Sequence, residues 1–251
     1  MKKFILCTLI SFLAAVSVFA GDVAVFNDIG FSEDGLTYIF AQYGKQDRTY
    51  EAWADIFTVN VEKNDYVKNE VFHTAPSKET ASLTGKKAFE LLREKAEWKI
   101  AKYNCKPADA GTLLYVRSDE SKKPTDEIVF KDFEGSSDDK EIFYHIKLVP
   151  YYEGKGKNIR SSYYINLVKQ DGNGNVLTKK IVGNPDIKRK GISSYKISRI
   201  FSDKSGRSLV FIIEKTLEDD TGTSIRYMVE TFRFAASATA QPVQQAASLE
   251  K

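Results

Sequence analysis

Two histidines and one acidic cluster are the residues of this chain best equipped for chemistry. His73 follows a first pair of apolar runs, and His145 lies inside "EIFYHIKL". An imidazole close to Asp139 and Glu141 has the makings of an acid–base pair or of part of a metal site. The usual zinc-hydrolase spacing is absent, because no HExxH occurs. A lone histidine in a strand more often serves the sheet around it. Asp132, Glu134, Asp138, Asp139 and Glu141 crowd the 132–141 segment around Gly135-Ser136-Ser137. Carboxylates paired across a cleft hydrolyse glycosidic bonds. A solvated loop is the plainer account of the same residues.

Other motifs point less sharply. Gly154-Lys155-Gly156-Lys157 could touch an anion, but it opens no evident helix, so the phosphate-cradle argument fails. Asp171-Gly172-Asn173-Gly174-Asn175 has oxygen side chains at alternate positions, as calcium loops do. The sixth and twelfth positions are Val176 and Val182, where such a loop needs glycine and a bidentate glutamate. A hairpin turn explains it fully. Lys188-Arg189-Lys190 follows the Pro185 turn and reads as a solvated run. No GxSxG, Walker or GxGxxG motif occurs. No catalytic, cofactor-binding or metal-binding residue is therefore nominated, and no cofactor is expected.

The elements that carry these residues begin after an export signal. Lys2 and Lys3 precede the apolar run Phe4–Phe19, and Val18-Phe19-Ala20 suits a signal peptidase. Residues 1–20 read as a cleaved signal peptide, 21–234 as a single secreted β-rich domain, and 235–251 as a disordered tail. Cys7 sits too early in the apolar run for a lipidation site. Cleavage removes two lysines and no acids, so net charge falls from +3 to +1. A near-neutral chain has no global attraction to nucleic acid. No later segment reaches spanning length, so no transmembrane segment is expected after cleavage. Only Cys105 then remains, which leaves no internal disulfide and suggests a buried thiol.

"DIFTVNVEKNDYV" alternates with period two and turns at Asn64-Asp65. Phe89, Leu92, Ala96, Ile100 and Tyr103 share one helical face, predicting an amphipathic helix near 85–104 with Thr84 as N-cap. Its apolar stripe is expected to pack on a sheet. From residue 111 the chain is rich in aromatic and branched residues, as strands prefer. The pairs Tyr151-Tyr152 and Tyr163-Tyr164 should each place one ring inward and one outward.

"FSEDGLTYIF" (31–40) and "FSDKSGRSLVF" (201–211) resemble one another, and Gly35 to Ile56 spans the same 21 residues as Gly206 to Tyr227. The motif also resembles the strand-turn-strand of blades in periplasmic β-propellers. The fold class expected is mainly β, with antiparallel sheets, blade-like elements at both ends of the chain, and one helix. A small β-propeller is the alternative. "IGFSEDGLTYIFAQYG", "DIFTVNVEKNDYV", "YKISRIFSDKSGRSLVFIIE" and "SIRYMVETFRF" together resemble an uncharacterised family of predicted secreted bacterial proteins, over about residues 25 to 234. That resemblance implies secretion and brings no site residues. The function expected is an exported, non-enzymatic binding or assembly protein, secreted or periplasmic, with an unidentified protein or cell-envelope partner. The alternative is an extracytoplasmic hydrolase using the acids of 132–141.

Overall fold

The computed structural model describes residues 22–107, 113–118, 122–133, 135–219 and 222–235. The segment read as a signal peptide and nearly all of that read as a disordered tail lie outside the described residues. Among the described residues, fourteen strands and one long helix follow in order. The first group is β1 (Asp22–Val23), β2 (Val25–Phe31), β3 (Thr37–Lys45), β4 (Ala52–Asn60), β5 (Asp65–Thr74) and α1 (Gly85–Ile100). A short strand β6 (Leu113–Val116) leads to β7 (Ile128–Lys131), β8 (Ile142–Glu153), β9 (Arg160–Asp171), β10 (Val176–Val182) and β11 (Arg189–Lys190). The chain closes with β12 (Ile192–Ser202), β13 (Ser208–Asp219) and β14 (Gly222–Arg233).

The strands form three sheets. β2-β3-β4-β5 is an N-terminal meander, β7 to β10 form a middle meander with β11 beside β9, and the third sheet runs β1-β14-β13-β12-β6. All pairings are antiparallel except β1 with β14. Three apolar cores order these sheets as layers. Ile29, Ile39, Ala41 and Ile56 of the N-terminal sheet meet Phe89, Leu92 and Ala96 of α1. Its other face, with Tyr38, Phe40 and Val59, meets Val210, Ile212 and Val229 of the third sheet. The reverse face of the third sheet, with Leu209, Phe211 and Ile213, meets Tyr144, Ile146, Tyr163 and Ile165 of the middle sheet.

The third sheet is thus covered on both sides. This explains why β13 reads as an unbroken apolar run, Leu209 to Ile213, all buried. Each such side chain contributes about 1.5–3 kcal/mol by leaving water. The order helix, sheet, sheet, sheet is an open stack. Helix α1 caps one end, and at the other Val129 (51 % exposed) and Ile181 (64 %) face solvent. The described residues therefore do not close into the ring of blades that a small β-propeller requires. The middle meander, which no repeat in the sequence announced, supplies the outermost sheet of the stack, at the end away from α1.

Helix α1 starts where expected. Thr84 Oγ1 accepts the Lys87 amide at 3.1 Å, and Ala88, Phe89, Leu92, Ala96 and Ile100 are buried. The helix gives way to a 3₁₀ turn at Ala101–Tyr103, and Asn104 ends it with φ 46°.

The two similar turns are related, though not by the residues that align most readily. The Ser32 amide donates to the Thr37 carbonyl and the Asp203 amide to the Ser208 carbonyl, so Ser32 and Asp203 are structural equivalents. Ser32 Oγ accepts the Thr37 amide at 2.9 Å, and Asp203 Oδ1 accepts the Ser208 amide at 2.8 Å. The serine and aspartate have exchanged places: Ser32 Oγ donates to Asp34, and Ser205 Oγ to Asp203. The extra residue of the second copy lies before the turn, which makes the two Phe-Ser pairs non-equivalent. The equal 21-residue spacing is also out of register. Thr37 pairs with Asn60, whereas its counterpart Ser208 pairs with Arg233, two residues beyond the aligned position. A shift of two preserves which face each side chain takes, so the apolar pattern survives it.

Candidate functional site

The residues singled out by their chemistry are dispersed. His73 on β5 lies 2.7 Å from Asp55, whose second oxygen accepts Gln42 Nε2 at 3.0 Å. Gln42 in turn accepts the Tyr227 amide at 2.8 Å, so this chain of bonds ties the N-terminal sheet to β14. His145 stands on the uncovered face of the middle sheet, 3.4 Å from Glu127. Neither histidine approaches the other or the acidic segment closely enough to form a metal cluster among the described residues.

The acids of 132–141 do not converge. Asp132 is buried and ion-paired with Lys169 at 2.5 Å, and its other oxygen accepts the Gly135 amide. Glu141 pairs with Lys131 at 2.8 Å. Asp138 and Asp139 are exposed, and Glu134 lies outside the described residues. Asp171 caps its own hairpin, accepting the amides of Asn173 and Asn175. Cys105 is half-buried against the core beneath α1, and its thiol is pushed up to about 12 by burial, then by Asp34 and Asp28. Tyr163 points inward and Tyr164 outward, as alternation requires. Tyr151 packs by Tyr164 on the outer face, and Tyr152 stacks on Tyr195 on the inner one.

A different group of residues does converge. A pocket of ≈ 410 Å³ opens where the β4–β5 turn, the loop after β10 and strand β14 meet. Glu230, Asn64, Tyr66, Arg189, Ile187 and Gly183 line it. Strand β14 supplies Glu230, whose neighbours alternate between layers: Val229 faces the N-terminal sheet and Met228 the middle sheet. Glu230 is only 6 % exposed. Tyr163 Oη donates to one of its oxygens at 2.8 Å and Asn64 Nδ2 to the other at 2.5 Å. Both donors are neutral, and no cation forms an ion pair with Glu230 among the described residues.

The surrounding backbone is shaped for this carboxylate. Asn64 adopts φ 51° at the turn, and its Oδ1 accepts the Thr231 amide at 2.6 Å, which fixes the direction of its amide nitrogen. Gly183 has φ 88°, and a Cβ there would stand 3.2 Å from the Glu230 carboxylate carbon. Arg189 lays its guanidinium 5.1 Å over the Tyr163 ring and donates to the Ile187 carbonyl at 3.3 Å. Tyr163 is held neutral by burial first and by Glu230 next. Tyr66 keeps 41 % of its surface exposed, yet its phenol is pushed up to about 12 by lost hydration and then by Glu230.

In the sequence Glu230 and Gly183 went unmarked, Asn64 read as a turn residue, Tyr163 as half of an aromatic pair, and Arg189 as part of a solvated basic run. One signal was present: an acid inside the apolar strand "YMVETF", at a position whose neighbours two residues away face the core. Its partners come from three remote segments and carry no local mark.

The fold defines the protein as an open stack of antiparallel β-meanders capped by one helix, with a pocket at a corner where all three sheets contribute. Residues 39–233 match the family described as "Predicted secreted protein (DUF2259)", a family of unknown function, and the chain belongs to it. The matched region holds the whole pocket and most of the stack, and the first turn motif, 31–35, precedes it. No curated protein matches the chain. No helix among the described residues is long and apolar enough to cross a membrane.

Proposed function

We propose that this secreted-family protein is an exported, non-enzymatic binding protein whose binding site is the Glu230 pocket. One observation carries the reading: a buried carboxylate faces a pocket and, among the described residues, is in no ion pair. Burying an ion costs several kcal/mol unless charge and hydrogen bonds compensate it. Two neutral donors supply part of that compensation, and a ligand supplies the rest. The reading includes cleavage after Ala20 and a single domain over 21–234.

The test is a thermal-shift screen of the exported, mature chain against amino acids, polyamines, sugars and envelope glycan fragments. At least one class should raise the unfolding temperature, and Glu230→Gln should abolish that rise. A flat response from every class overturns the reading. Intact-mass measurement of the exported chain should find Gly21 at its N-terminus.

A protein or cell-envelope partner is a second reading, favoured by the outer face of the middle sheet. Val129, Tyr151 and Ile181 are 51 %, 48 % and 64 % exposed there. Crosslinking to the envelope that is unchanged in a folded Ile181→Glu variant would remove this surface from consideration. No observation favours a hydrolase built on the acids of 132–141.

A further inference from the structure

The pocket holds two charges that do not neutralise each other. Glu230 is buried, and its hydrogen-bond donors among the described residues are both neutral. Arg189 meets the Ile187 carbonyl, the Tyr163 ring and the Tyr195 hydroxyl, and no carboxylate forms an ion pair with it among the described residues. Tyr163 stands between them, giving its hydroxyl to Glu230 and its ring face to Arg189. The ring is wholly buried, so it acts as a fixed spacer that keeps the two charges from collapsing together.

Each simpler ligand meets an opponent. A plain anion drawn to Arg189 is repelled by Glu230. A plain organic cation drawn to Glu230 is repelled by Arg189. A metal ion would want three or more acidic, histidine or cysteine ligands, and the described residues gather no such group. Lys63 and Asp65 at the mouth are exposed and of opposite sign, so they tip the balance neither way.

We infer that the pocket binds a small zwitterion, its ammonium group on Glu230 and its carboxylate on Arg189. This inference rests on the binding reading above and gives it a ligand class. Free α-amino acids and short peptides share that chemistry. The volume of ≈ 410 Å³ falls in the range of small-molecule sites. Tyr66 offers an aromatic wall to the ligand body or to its cation.

The test is calorimetric titration of the mature full-length chain with alanine, leucine and dialanine. Three controls accompany them: N-acetylalanine, which lacks the cation, alanine amide, which lacks the anion, and glucose, which lacks both. A zwitterion should bind, and blocking either end should weaken it by about tenfold or more. Alanine against dialanine separates the two sources by the distance between their charges. Glu230→Gln should erase the preference for a free amine, and Arg189→Gln the preference for a free carboxylate. Near-ultraviolet circular dichroism checks that both variants remain folded. Equal binding of blocked and free forms, or binding of glucose alone, overturns the zwitterion while the binding reading stands. Silence from these six compounds together with a flat thermal-shift screen overturns both.

Discussion

Gly35 and Asp203, from opposite ends of the chain, meet where the two similar turns pack head to head. A Cβ on Gly35 would stand 2.2 Å from Asp203 Oδ2, and Gly35 already has φ 67°. Around this point Ser208 Oγ donates to the Gly35 carbonyl at 2.8 Å, and Arg233 donates to the carbonyls of Gly35 and Asp34 at 3.1 and 2.9 Å. The turn motif therefore joins two layers of the stack as well as closing two hairpins.

Gly35→Ala should cost about 3 kcal/mol, from left-handed backbone strain plus overpacking against Asp203. Gly174→Ala is the control, since φ is 84° there and nothing lies within 4 Å of the added Cβ. It should cost only about 1 kcal/mol. Urea unfolding of the two variants and the parent measures the difference, and equal costs would refute the packing argument.

Glu230→Ala should destabilise the fold by about 2–3 kcal/mol, because it strands one buried and one half-buried donor. Those donors are Tyr163 Oη and Asn64 Nδ2. Glu230→Gln retains one acceptor oxygen and should lose about 1 kcal/mol. Chemical denaturation gives both values, and their order must not reverse.

Thr84→Ala removes the acceptor for the Lys87 amide at the start of α1. A loss of about 1 kcal/mol is expected in urea denaturation. Because α1 is the outermost layer, hydrogen exchange should rise first in its opening turn.

Cys105 should resist thiol reagents near neutral pH and react promptly in urea, since burial first, and Asp34 and Asp28 next, raise its pKa to about 12. Tyr66 is raised likewise to about 12. The sign follows from linkage. A raised folded pKa gives stability that is whole below the unfolded pKa and is lost as pH climbs through the folded one. The thermal midpoint should therefore fall progressively above about pH 9, with tyrosinate absorbance rising at unfolding. A midpoint flat to pH 12 would contradict these shifts.

What the sequence determined by itself was local. Period-two alternation marked the strands, the stripe from Phe89 to Ile100 marked α1, and Thr84 marked its start. The DGNGN hairpin and the glycine of each similar turn were legible because turn geometry demands those residues at short range. The tertiary structure alone decided what those elements assemble into. Whether meanders close into a ring or stack openly depends on which apolar faces meet, and β13 satisfies two partners with one unbroken run. The repeat misled by one residue at the turn and by two along β14, because sheet pairing tolerates shifts that keep side-chain parity. Glu230, Tyr163, Asn64 and Arg189 lie as far as 166 residues apart in the chain. Their convergence is a property of three packed layers, and no spacing along the chain encodes it.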